Sequence, residues 1–328
     1  MAHGTPLSKL WLLSFGALLG GVAILSSALA GRLAFEPALL ATTSVLFAVA
    51  MVVRAAIWLW RHRPASPFGA LQARLGVVVG DLALRFALFQ GSIHFFIWLP
   101  PIKRAIPDGQ GYWADAWLAQ FERSAFGADP WALLHRLPDW VTPATDALYA
   151  AWIPLIVFVS MLVAVFGAKA LVARYFLSWA LAWVVLGIGV AHLLPSAGPI
   201  FGPDLGFGFE GLRTQLQGTT ALRFHDMLWM MHVTGSRDLG GGISAMPSMH
   251  CALTFIIVAA AWHSRLRAPA LIYAGLIWFG SVYLGWHYVL DGAVSAIGIA
   301  LIWRVAGLAC MANAGTRPRF RRLVAARA

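Results

Sequence analysis

Apolar residues run along the chain in blocks of about twenty, separated by short polar or basic segments. Eight such blocks predict membrane-spanning helices over residues 10–30, 38–60, 78–100, 143–166, 171–193, 246–263, 269–286 and 288–308. The fold class that follows is all-α, a polytopic membrane helical bundle, because a helix satisfies its own backbone inside lipid. No internal repeat and no low-complexity linker interrupts the series. The first block ends in "SSALAG", which resembles a signal-peptidase site. Its apolar run outlasts the ~7–15 residues of a signal-peptide core, so a retained helix is expected.

Two stretches between blocks depart from this pattern. Residues 101–142 carry Tyr112, Trp113, Trp117, Phe121, Trp131 and Trp140. Trp113, Trp117 and Phe121 recur at four-residue spacing, while Asp115, Glu122 and Arg123 fall off that stripe. This predicts an amphipathic helix lying in the headgroup layer. Residues 194–245 are rich in glycine and proline and predict a mostly irregular loop.

Composition sharpens the class. Of 328 residues 60% are hydrophobic and 11% charged, about half the charged fraction of a soluble domain. The net charge of +11 does not imply nucleic acid, because the bases cluster beside apolar blocks. The side predicted to hold both termini carries Lys9, Arg61, Arg63, Arg74, Lys169, Arg174, Arg265, Arg267, Arg304 and a basic tail. Counted by the positive-inside rule, the termini are expected in the cytoplasm of an inner-membrane protein. Cys251 and Cys310 fall near opposite faces and are not expected to pair.

Two short stretches place ionisable groups where helices start, on the face away from the termini. "SAMPSMHCA" (Ser244 to Ala252) follows Gly240, Gly241 and Gly242, which permit close backbone approach. Pro247 suits a first helical turn, and His250 would then lie beside free N–H groups that favour an anion such as phosphate. In "GWHYVLDG" (Gly285 to Gly292), His287 and Asp291 are four apart and share a helical face. A carboxylate on one ring nitrogen fixes the tautomer and leaves the other free to attack or to take a proton. Each stretch alone also suits a structural role, a capped helix in one case and a His–Asp contact in the other. The span pattern brings both to one face, and an ionisable cluster there points to function. A metal site is disfavoured, since no additional ligand stands at a fixed spacing.

Pro-Ser-x-His followed by His-x-x-x-Asp resembles the type 2 phosphatidic acid phosphatase superfamily of membrane phosphatases and phosphotransferases. "HLLPSAGPIF" (His192 to Phe201), "SAMPSMH" and "HYVLD" resemble its inositol phosphorylceramide synthase branch more closely. The resemblance covers residues 78–308, a six-helix catalytic core. It leaves 1–77 as two N-terminal helices with a cytoplasmic loop, and 309–328 as a basic cytoplasmic tail. It implies that His287 is the nucleophile, forming a phosphohistidine, that Asp291 orients it and that His250 protonates the leaving oxygen. Ser248 and the N–H groups after Pro247 would bind phosphoryl oxygens. Neither a metal nor another cofactor is expected. The partners implied are a phospholipid donor and a lipid alcohol or water as acceptor.

The departures are specific. The phosphatases carry a lysine and an arginine before the first histidine, where this chain has "LPSAGPIF". They place an arginine six residues before the second histidine, where this chain has Ser281. Replacement cations are sought in Lys103, Arg104, Arg213, Arg223 and Arg237, each of which also suits a base reaching toward lipid phosphates. The rival readings are a metal-independent phosphatase acting on phosphatidate or a polyprenyl pyrophosphate, and a non-catalytic lipid-phosphate-binding protein or transporter. Asp81 and Arg85, four apart in the third block, are expected to form a structural ion pair. Arg54 has no evident partner. His94 and His192 are expected to be packed or hydrogen-bonded.

Overall fold

The structure is a computed structural model that describes residues 9–236 and 241–311. Every regular element among the described residues is helical. Helix α1 (Leu10–Ala30) closes on Gly31, whose left-handed backbone lets its N–H donate to Ser27 O. Helices α2 (Pro37–His62) and α3 (Pro67–Arg104) each start with proline in the first turn, where its missing N–H costs nothing. Ser66 Oγ caps α3 by accepting from Gly69 N at 3.3 Å.

Helix α3 overruns its expected block of 78–100 at both ends. Good helix formers (Ala70, Leu71, Gln72, Ala73) continue it upstream, outside the apolar window. Its 38 residues make it about 57 Å long, well beyond the ~30 Å of a hydrocarbon core.

Helices α4 (Ala114–Phe126) and α5 (Pro130–Leu134) follow. The block expected over 143–166 is a bent pair, α6 (Val141–Ala150) and α7 (Trp152–Phe166), with 44° between them. Pro154 gives the reason: it has no N–H to offer the carbonyl of Ala150, and its ring crowds that carbonyl. Helix α8 (Lys169–Leu193) is π-helical over Ala182–Val190.

The segment 194–245, expected to be mostly irregular, contains a short helical run over residues 199–205 and two further helices, α9 (Glu210–Gln215) and α10 (Thr220–Thr234). Its prolines all lie before Asp204, and residues 219–234 contain neither glycine nor proline, which leaves that stretch free to coil. Thr219 Oγ1 caps α10 by accepting from Leu222 N. The chain ends its described part with α11 (Met249–Ala261), α12 (Arg267–Tyr283) and α13 (Val289–Met311).

Among the described residues five helices, α1, α2, α3, α8 and α13, are long and apolar enough to cross a membrane, and the bent pair makes six if it is one span. The chain is a multi-pass helical membrane protein. Helices α11 and α12, expected as full spans, have only 13 and 17 residues. Residues 246–248 and 284–288, counted into those spans, form turns instead.

Helix α11 packs among α8, α12 and α13, while α1 lies on α3 and α8. The core between them is aromatic: Phe89, Phe95, Phe176 and Trp179 are fully buried. Phe96 meets Trp152, Trp179 and Trp183 edge-on, with centroids 5.4–6.4 Å apart.

Arginines tie off the end of α7. The expected pair is present, with Arg85 Nε 2.8 Å from Asp81 Oδ2. Arg85 Nη1 also donates to Ala164 O at 2.8 Å and Gly167 O at 2.9 Å. Arg54 donates to Val165 O, a partner the sequence did not reveal. His94 and His192 each engage a carbonyl one helical turn back.

Candidate active site

The two histidine stretches form the turns that begin α11 and α13. Pro247 is not in the first turn of α11; it precedes the cap. Ser248 is that cap, buried, with Oγ accepting from Cys251 N at 3.3 Å. The N–H groups of Met249 and His250, in the first turn, have no acceptor among the described residues. His250 lies beside them. Its ring is held between Tyr149 and Trp152, at centroid distances of 4.6 and 4.2 Å. Trp152 Nε1 also donates to His250 O at 3.1 Å, which fixes the backbone of that turn.

His287 sits in the break between α12 and α13, and its backbone N–H donates to Ser281 O at 3.1 Å. The position that carries arginine in the phosphatases therefore serves the turn through its carbonyl. His287 Nδ1 lies 3.2 Å from Asp291 Oδ2, which also accepts from Tyr288 N at 3.0 Å. Asp291 is fully buried, and its Oδ1 has no partner among the described residues. Nε2 of His287 has none either. The His250 and His287 rings approach edge to face, 5.7 Å between centroids.

Three connections hold the turns together. Ser248 N donates to Asp291 O at 3.4 Å. Ser295 Oγ lies 2.8 Å from both Ser248 O and Asp291 O. The third connection is "LPSAGPIF": Ala245 N donates to Ser196 O at 2.7 Å, and Ile200 N to Gly285 O at 2.8 Å. This segment thus braces both histidine turns at once. Gly198, at φ 94°, passes so close to Trp286 O that an added Cβ would lie 2.4 Å from it.

The brace is itself held by a residue not assigned from the sequence. Asp115, fully buried on α4, accepts from Ala197 N at 2.7 Å, Gly198 N at 2.9 Å and Ser196 Oγ at 2.9 Å. Burial pushes its carboxyl up to about 6, against the pull of those hydrogen bonds. Seven residues on, Glu122 Oε1 accepts from Leu290 N at 3.0 Å and caps α13 beside His287. Burial, with Asp291 nearby, raises Glu122 to about 7 despite that bond. Glu122 and His287 line one small pocket together with Asp129 and Tyr288.

The aromatic stripe of α4 does face outward, with Trp113, Trp117 and Phe121 each about half exposed. Asp115, Leu118, Ala119 and Glu122 form the buried face opposite. The signal was present in the sequence: two acids seven apart, opposite an aromatic stripe, point into the protein.

The expected cations separate. Lys103, at the end of α3, lies against the segment that leads into the His250 turn. Gly242, at φ 98°, runs against it, and an added Cβ would meet Lys103 Cβ at 2.6 Å. Arg104 follows in the same last turn. Arg213 instead pairs with Asp204 and approaches His225 Nε2 at 3.0 Å. Arg223 is exposed on α10 and bonded to Thr220 Oγ1 at 3.0 Å. Arg237 and the basic tail lie outside the described residues. No group of three or more metal-binding side chains stands together among the described residues.

A family model described as the PAP2 superfamily matches residues 116–305, which include both histidine turns and Asp291. The chain belongs to the PAP2 superfamily. Together with the membrane-length helices, this makes it a membrane phosphatase-type enzyme. No curated protein and no solved structure matches the chain.

Proposed function

We propose that this PAP2 superfamily member transfers a phospho-headgroup from a phospholipid to a lipid alcohol, through a phosphohistidine at His287. With Nδ1–H donated to Asp291, Nε2 attacks phosphorus. The P–O bond to the leaving group breaks, and His250 gives its proton to the departing oxygen. The acceptor hydroxyl then attacks the phosphohistidine, His250 takes its proton, and the P–N bond breaks. The N–H groups of Met249 and His250, with Lys103, stabilise the phosphoryl oxygens.

One observation carries this reading. The His287–Asp291 pair keeps a ring nitrogen unengaged, 5.7 Å between centroids from a second histidine at an open helix start. The charge balance favours a diester donor, as in inositol phosphorylceramide synthases. The cations of the phosphatase motifs are replaced here by Ser281 and "LPSAGPIF", and Arg213, one candidate substitute, is taken by Asp204, which suits a monoanion better than a phosphomonoester dianion. By the distribution of bases, the site faces out of the cytoplasm and both termini face in.

The test uses purified protein in mixed micelles without divalent metal, headgroup-labelled phosphatidylinositol, and ceramide or diacylglycerol. His287→Ala runs in parallel. Label moving into a new lipid, absent from the variant, supports the transfer. Water-soluble label alone gives a hydrolase instead. Full activity in His287→Ala, or lipid binding without turnover across phosphoester substrates, overturns the mechanism.

A further inference from the structure

At the other end of the bundle, α2 and α3 stand apart around a cavity of about 350 Å³. Helix α7 marks the separation. It begins at Trp152, which bonds to His250 O, and ends at Phe166, which lines this cavity. Its fifteen residues put roughly 20 Å between the two. The cavity has the size of a small-molecule site.

Its polar wall is basic: Arg54, Arg61, Arg74 and His62. The Arg74 guanidinium lies 4.7 Å over the Trp58 ring, and Trp58 stacks on His62 at 4.8 Å. His62 Nδ1 is in turn 2.9 Å from Trp58 O. The stack orients a guanidinium without using its hydrogen-bond donors. Neither Arg61 nor Arg74 meets a carboxylate or a carbonyl among the described residues, and the single acid on the wall, Asp81, is already taken by Arg85 and Lys169. The remaining wall is apolar, with Leu75 and Ile57 exposed and Val78 partly buried.

One guanidinium oriented on an aromatic ring and a second lining the same wall, both without counter-charge among the described residues, fit a phosphate. An apolar wall continuous with the lipid-facing surface fits acyl chains. We infer that this cavity binds the phosphate of an anionic phospholipid from the leaflet opposite the histidines, as a second lipid site that takes no part in the chemistry. The inference does not rest on the proposed transfer reaction.

Native mass spectrometry of the full-length protein in a neutral detergent, titrated with phosphatidylglycerol, reads the occupancy. The double variant Arg61→Gln/Arg74→Gln is expected to bind at least about tenfold more weakly. Arg265→Gln/Arg267→Gln, with the same charge loss between α11 and α12, is expected to change binding less than about twofold. Trp58→Leu, which keeps every charge, should also weaken binding by removing the platform under Arg74. Should the first double variant fail to fold, the exposed single change Arg61→Gln is read in its place. Equal weakening in both double variants overturns the site in favour of diffuse surface charge. Full displacement of the lipid by its deacylated headgroup, glycerophosphoglycerol, overturns the lipid assignment in favour of a soluble phosphate compound.

Discussion

The two ends of the bundle solve one problem with opposite charges. At the histidine end, carboxylates receive backbone N–H groups at helix starts. Glu122 accepts from Leu290 N at the start of α13, and Asp146 from Thr220 N and Ala221 N at the start of α10. At the far end, Arg85 and Arg54 donate to the last carbonyls of α7. Each sign sits where the helix dipole welcomes it and where orphan backbone groups need a partner. These four ionisable groups are therefore structural. His287 and Asp291 stand apart because the pair bonds within itself and still leaves Nε2 and Oδ1 unengaged. A buried polar atom without a partner is costly to keep, and here it stands beside a second histidine at an open helix start.

Substitutions should divide along that line. The largest effect is expected from His287→Ala, which should lower turnover on the order of 10⁴-fold or more. The fold should stay intact, since the turn is held by backbone bonds and the brace. A thermal melt alongside the assay checks this, and a large loss of stability would place His287 with the structural groups. Arg85→Met should do the reverse. It removes the partners of Ala164 O and Gly167 O and leaves Asp81 with Lys169 alone. The expected cost is about 3–5 kcal/mol of stability, with activity per folded molecule unchanged. Activity falling in proportion with no change in the melt would break the comparison.

Much of this was legible in the chain. The apolar blocks gave the helices, and the i, i+4 spacings of Asp81–Arg85 and His287–Asp291 gave two real contacts. Local periodicity carries that information. It could not show that "LPSAGPIF" braces both histidine turns, because those bonds join segments 49 and 85 residues apart (Ser196 to Ala245, Ile200 to Gly285). It also could not tell which arginine finds a partner: Arg213 and Arg54 look alike in sequence, and packing alone gives them Asp204 and Val165 O. The start of α11 lies three residues later than the apolar block suggests, because residues 246–248 form the turn and cap of the site instead of helix.

Asp115 tests whether the histidine end depends on its brace. Its two oxygens accept three donors, and an amide in its place turns an NH₂ toward one of them. Asp115→Asn should cost about 2–3 kcal/mol through the buried N–H left unpaired. Activity should fall as well, because Ser196–Gly198 supports both turns. Equal activity and stability to the unmodified protein would remove the brace from the argument.

The smallest effect is expected at Glu122, where the sign of a pH dependence is the readout. Burial favours the protonated carboxyl, so its pKa rises from 4.5 to about 7 on folding. The stability owed to the protonated form is fully present below pH 4.5 and is lost as the pH climbs through 7, a change of roughly 3 kcal/mol. Glutamine keeps an oxygen to accept Leu290 N and carries no charge to bury. Glu122→Gln should therefore flatten the melting temperature between pH 4.5 and 7 and leave the variant more stable than the unmodified protein at pH 8. An unchanged slope would mean that the Glu122 carboxylate reaches water, and that the acids of the histidine end are held as charges like the arginines opposite.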